Sequence, residues 1–346
     1  MQPYVAMRRS PTSATALAGL LLAGALAGCG SGGSTPAATA PSAARTTAVH
    51  ATPAHAAAPA RLRVIATRTL PAPVQLPAVA LAGGRVLAAA GLSAQDTSVA
   101  DVVAVAGPGI AAARRIGTLP QALHDVGAAS VGGRMLLFGG GTAANGTSSS
   151  ALTVAPDGTA STAARLPVGI SDSAAAAIGA TAYVVGGYTG SVPLRSVLAY
   201  TPGQAGLRDV ARLPHPLRYA AVAAIGGRLL IAGGTDGVSA RREIVRVDPG
   251  SGRAQVIGLL PAPLEHAAGA ALGGTFYVFG GRGDALGSQR AAILAIDPAS
   301  GRVRPAGTLP HALSDLGAAT LGGHVWLVGG RDASGGVAAA AWELAP

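Results

Sequence analysis

Polar pairs recur at one register of an otherwise apolar chain: His124-Asp125, Ser171-Asp172, Arg218-Tyr219, Glu265-His266 and Ser314-Asp315, with Gln75 at the first occurrence. Each pair occupies the fifth and sixth positions after the Leu of a Leu-Pro dipeptide. Four of the 15 acidic residues (Asp125, Asp172, Glu265 and Asp315) and two of the seven histidines fall there, which sets the register apart from scattered surface charge. Carboxylates, imidazoles and a guanidinium gathered at one concave opening are equipped to bind a polar ligand or a cation, or to move a proton. The competing reading is structural, because Asp at turns accepts hydrogen bonds from nearby backbone N–H groups.

What must position these residues is a repeat. The Leu-Pro dipeptides begin at Leu70, Leu119, Leu166, Leu213, Leu260 and Leu309, spaced by 49, 47, 47, 47 and 49 residues. Thirteen residues after each Leu stands a Gly-Gly or Gly-Ala turn, then a short apolar run, then a second Gly-Gly pair. Gly139-Gly140, Gly186-Gly187, Gly233-Gly234, Gly280-Gly281 and Gly329-Gly330 are the second pairs, and Ala90-Gly91 is a degenerate first member. Four short strand-like runs per unit of about 47 residues, separated by Gly, Pro, Asn and Asp turns, predict an all-β fold with six propeller blades. Inner strands rich in Ala and Gly, such as residues 126–131, suit positions converging on an axis.

The apolar strand ending in Gly-Gly, with Tyr183, Tyr277 and Trp326 three residues before the pair, resembles the kelch motif over residues 61–346. The resemblance implies a six-bladed kelch-type β-propeller. This chain departs from it in lacking the usual outer-strand tryptophan and in carrying Leu123, Leu217, Leu264 and Leu313 where many kelch blades have arginine. Those departures loosen any ligand carried over from relatives. The last unit ends without a fourth strand, and residues 61–68 precede the first Leu-Pro as fourth strands do. The last blade is therefore expected to be closed by the N-terminal strand, which removes an exposed sheet edge.

Ahead of the repeats, residues 1–28 read as a signal peptide: Arg8-Arg9, then an apolar run too short to span a bilayer, then the only cysteine. Leu26-Ala27-Gly28-Cys29 resembles a lipoprotein lipobox, which implies lipidation of Cys29 and anchoring on the outer side of the bacterial cell membrane. Residues 29–60, almost wholly Ala, Thr, Ser, Pro and Gly, read as a disordered tether. One cysteine allows no internal disulfide, so the core must carry the stability.

All 25 basic residues are Arg, against 15 acids; the missing Lys reads as a codon bias of the source genome, and because the Arg are scattered and not clustered, the net charge of +10 leads to no expected nucleic-acid partner. Neither a paired-Cys nor a His-Glu-x-x-His spacing occurs, and the Gly-rich stretches lack the following helix that phosphate loops need, so no metal and no cofactor is expected. Arg282-Gly283-Asp284 spells an adhesion tripeptide but reads most simply as a hairpin turn. Two functions are weighed. The favoured one is a membrane-anchored binding module presenting its mouth to an extracytoplasmic protein or glycan, with no catalytic residue. The alternative, implied by the kelch resemblance, is a carbohydrate-active enzyme of the mutarotase or epimerase type, with Glu265 or Asp125 as base and His266 or His124 as partner. A copper radical oxidase of the same architecture needs a cysteine bonded to tyrosine, and Cys29 lies in the signal.

Overall fold

The computed structural model describes residues 59–346. The signal, Cys29 and all but the last two residues of the tether lie outside the described residues. Within them are 25 strands and no helix. They form six antiparallel sheets, each built on four strands as the fourth is, Ala221–Ile225, Arg228–Ala232, Glu243–Asp248 and Arg253–Leu259 in order from inside to outside, with Gly141–Thr142 added at the outer edge of the first. The inner strands contact one another in sequence and the sixth contacts the first, closing a six-bladed β-propeller.

Alternation along each second strand builds the core, because successive side chains point to opposite faces of the sheet. In blade 2, Met135 and Leu137 pack with Leu87, Ala89 and Val102 of blade 1. Leu136 and Phe138 pack on the other face with Val184 and Tyr200 of blade 3. Four further apolar layers of this kind sit between successive blades, the last joining Val328 and Trp326 of blade 6 to Val86 and Ala88 of blade 1. Inner strands stay small because they nearly touch: a side chain at Gly317 would collide with Val79, and one at Gly127 with Ser173.

Blade 6 closes as the repeat predicts. Arg63–Thr69 pairs antiparallel with Ala340–Ala345, the last strand of the chain. The pairing carries a bulge between Val64 and Ala66, and every other blade has a bulge at the corresponding outer pair. The N-terminal strand thus adopts the geometry of a genuine fourth strand, extra twist included.

The second Gly-Gly pair is the joint between blades. Its second residue donates to a carbonyl of the following blade: Gly91 to Leu123, Gly140 to Ile170, Gly187 to Leu217, Gly234 to Leu264, Gly281 to Leu313 and Gly330 to Val74. These bonds run round the whole ring. The first glycine sits in the left-handed region, as Gly233 does at φ +65, with the Leu264 carbonyl oxygen where a Cβ would stand. Glycine is therefore favoured on two counts. Ala90, the degenerate member, holds the same conformation at φ +58.

Candidate functional site

The loops that enter each inner strand and the loops after each second strand meet at one end of the propeller, as expected, but the polar register does not form a single ring. It separates into two tiers. The fifth residue pairs through its backbone with the residue after the Gly-Gly pair of its own blade, in bridges Gln75 to Leu92, Ser171 to Tyr188, Arg218 to Thr235, Glu265 to Arg282 and Ser314 to Arg331. His124 faces Gly141 in the same way. The sixth residue, one step on, turns to the axis.

Six residues make this inner tier: Leu76, Asp125, Asp172, Tyr219, His266 and Asp315, all left-handed with φ between +54 and +62. Their backbones bond one to the next, Asp172 N–H to Asp125, Tyr219 to Asp172, His266 to Tyr219, Asp315 to His266 and Leu76 to Asp315, at 2.8–3.0 Å. The sixth joint, Asp125 N–H to Leu76, is not made. Asp and His tolerate this conformation better than most residues, and it rotates their side chains inward. All six line a cavity of about 120 Å³ on the axis. Leu76 had no polar signal and escaped the sequence reading. Gln75, His124, Ser171, Arg218, Glu265 and Ser314 lie one layer out and do not line it.

The outer tier holds the inner one. Arg218 pairs with Asp172 and stacks over the Tyr188 ring at 4.1 Å. Arg282 pairs with Glu265 and is only 12% exposed, so Arg282-Gly283-Asp284 does not present its guanidinium to an adhesion partner. Ser314 donates to Asp315 Oδ2 at 2.5 Å, while Asp315 Oδ1 meets His266 Nδ1 at 2.5 Å. Gln75 donates to Asp96 at 2.7 Å, and His124 Nδ1 meets Ser98 Oγ at 2.9 Å. Ser171 is buried and bonds through its backbone alone. Within the inner tier the Tyr219 and His266 rings stack at 3.7 Å, and Tyr219 OH donates to Asp125 Oδ2 at 3.2 Å.

Electrostatics separate the three aspartates. Burial, together with the charges of Asp172 and Asp315, pushes the Asp125 carboxyl well above the ordinary carboxylate range, against the hydrogen bond from Tyr219 and the charge of Arg218. Its Oδ1 is buried and has no hydrogen-bond partner. Asp315 moves the other way: burial works to raise it, but the hydrogen bond and charge of His266, with help from Ser314 and Arg282, hold it below its usual value. Burial also depresses His124, with only partial opposition from Asp172, and raises the Tyr219 phenol.

The acids of the outer loops have local duties. Asp236 caps Val238 and Ser239 N–H at 2.9 Å, Asp332 caps Ser334 and Gly336 at 2.8 Å, and Asp284 accepts from Ala240 of the neighbouring blade. What the sequence reading missed on this face is apolar. Val192, Val238 and Leu286, at loop tips of three successive blades, are 54%, 90% and 76% exposed. A larger recess of about 460 Å³ opens at the other end of the molecule, between blades 4 and 5. Its Arg228 is taken by Asp248 at 3.2 Å and its Arg246 by the Ala299 carbonyl at 2.9 Å, so the smaller axial cavity, with its unpartnered oxygen, is the better candidate site.

No protein-family model matches the chain, and no curated protein matches it. Solved structures do, in 716 chains. One, described as "Structure of YjhT", superposes with a TM-score of 0.66 at 13% identity, covering 78% of this chain and 94% of its own. The likeness is one of fold. At that identity it extends to the propeller architecture and not to the residues of the mouth.

Proposed function

We propose that this protein is an exported, lipid-anchored kelch-type propeller that binds a protein or glycan at the mouth of its axial channel. The observation that carries the reading is Asp125: a buried carboxyl facing the cavity, with one oxygen unpartnered and its ionised form disfavoured by burial and the neighbouring carboxylates. A buried polar atom left without a partner costs about 1–3 kcal/mol, so a purely structural ring would be expected to satisfy it. The exposed apolar tips at Val192, Val238 and Leu286 suit contact with a macromolecule around the same opening. The test is a thermal-shift screen of the full chain against sugars, sugar acids, amines and divalent ions, since a ligand of the native state raises its melting temperature. At least one compound should stabilise the wild type and not Asp125→Asn. Hits that stabilise both alike would move the site away from the mouth.

The anchor has its own expected outcome. Cys29→Ala should leave the protein exported but released from the membrane, because a lipid on Cys29 is the proposed attachment. Fatty-acid label retained by the variant contradicts it.

A second reading has one observation in its favour. Two carboxyls in one cavity are driven apart, Asp125 toward the acid form and Asp315 toward the anion, which is the division of labour that proton transfer to and from a sugar ring requires. In that case Asp125 is the acid, and His266, oriented by Asp315, is the base. Glu265 and His124 do not fit the roles first considered for them, being held by Arg282 and Ser98 outside the cavity.

A further inference from the structure

Resting on the reading of the mouth as a binding site, we propose that it takes a primary ammonium group on a short aliphatic stem, with Asp125 as the counter-ion. The charge pattern around the axis points to a cation. Asp172 has Arg218, Glu265 has Arg282, and Asp315 has His266. Asp125 alone has no basic side chain within hydrogen-bond distance. Its own neighbour His124 reaches only to 3.8 Å of Oδ2, and burial lowers the proton affinity of that imidazole. The groups facing Asp125 from the other blades are Asp172, Arg218, Tyr219 and Asp315, with His266 across the cavity. Only the Tyr219 hydroxyl touches it, and it touches Oδ2, leaving Oδ1 free although the side chain is just 7% exposed.

Size and lining choose among cations. About 120 Å³ is a little less than the cavity of about 150 Å³ that holds a benzene ring, room for an ammonium group with a stem of a few carbons. Around the inner tier the lining is completed by Pro77, Val126, Ala174, Ala220, Ala267 and Leu316, apolar, and by Ser173, whose buried hydroxyl has no partner. The apolar part of this lining desolvates a carbon stem, which a bare ion does not have. Among the described residues no three His, Cys, Asp or Glu converge as metal ligands, which disfavours a divalent ion. The protons balance simply. The ligand enters as R–NH3+, Asp125 gives up its proton to solvent, and an ammonium–carboxylate pair remains. Affinity therefore rises with pH, by up to about tenfold per unit, until Asp125 is ionised without ligand.

The experiment is calorimetric titration of the full chain with ethylammonium chloride at pH 6 and pH 8, with propanol, sodium chloride and calcium chloride as comparators. Ethylammonium should bind, and no more weakly at pH 8 than at pH 6, since the Asp125 carboxyl is held above the ordinary carboxylate range. Asp157→Asn, at a turn remote from the mouth, should bind as wild type does, and Asp125→Asn should not bind. Absence of ethylammonium binding by the wild type, or equal binding by Asp125→Asn or of propanol, overturns the proposal. Should a sugar or sugar acid stabilise the wild type but not Asp125→Asn while ethylammonium fails, the mouth remains the binding site and only its ligand chemistry is wrong. Should no compound depend on Asp125, both readings fall.

Discussion

Deleting residues 61–69 is expected to lower the melting temperature by about 10 °C or more, whereas deleting residues 30–58 should change it by no more than about 2 °C. The first deletion removes Arg63–Thr69 and with it the ladder to Ala340–Ala345, baring the edge of the last strand. It also removes Leu62, 3% exposed in the apolar layer between blades 5 and 6, and uncovers Trp342 and Leu344 beside it. Full burial of one leucine is worth about 1.5–3 kcal/mol, and each kcal/mol shifts the melting temperature of a domain this large by about 2–4 °C. Arg68 adds a hydrogen bond to the Ile110 carbonyl at 2.8 Å and lies over the Trp326 ring at 5.1 Å, tying blade 6 to blade 1. The second deletion removes only the tether, whose composition provides no core. Differential scanning calorimetry of the two truncations decides, and equal melting temperatures would show that the N-terminal strand does not close the ring.

Asp172→Asn is expected to be the most damaging single change at the mouth. Asp172 is 4% exposed and is the ion-pair partner of Arg218, whose own proton affinity is raised by that charge in spite of burial. Removing one member of a buried pair leaves the other uncompensated and costs about 3–5 kcal/mol, roughly 10 °C in melting temperature. Replacing Asp125, Asp172 and Asp315 together, which the sequence presents as three equivalent charges on one ring, is therefore no test of binding, because two of the three are structural as well. Denaturant unfolding of Asp172→Asn and Arg218→Met, singly and together, checks this. The double variant should recover part of the stability lost by Asp172→Asn, and no recovery would mean that the pair is not what Asp172 supports.

The architecture was legible because the repeat writes the same few constraints six times. Leu-Pro, Gly-Ala or Gly-Gly, and the second Gly-Gly each answer to one backbone demand, the last being the carbonyl that crowds Gly233 and its equivalents. The closure of blade 6 followed from counting strands. The site was half legible. Spacing located the mouth, but adjacent residues in a turn were expected to share a ring, and a left-handed sixth residue sends Asp125 inward while His124 stays outside. That same conformation explains part of the polar pattern, since Asp172, His266 and Asp315 are among the residue types that tolerate it. Identity at a repeat position therefore carried less functional information than pairing did. Which carboxylate lacks a cation depends on side chains contributed by different blades, and no spacing within one repeat reveals it. The exposed tips at Val238 and Leu286 break no periodic rule and left no signal at all.

The central claim, that Asp125 is kept for a ligand and not for the fold, is tested most directly by the melting temperature of Asp125→Asn against wild type from pH 4 to pH 8 without ligand. A carboxyl whose folded-state pKa lies above its unfolded value of about 3.9 binds more protons in the native than in the unfolded state. Stability then falls as pH rises from about 4 through the folded pKa and is flat beyond it. Asparagine keeps the size and removes the ionisable group, and with it this loss. The account predicts a variant more stable than wild type at pH 7, with the gain shrinking to nothing near pH 4. An Asp125→Asn protein less stable than wild type across the whole range would contradict it and make Asp125 one more structural member of the ring.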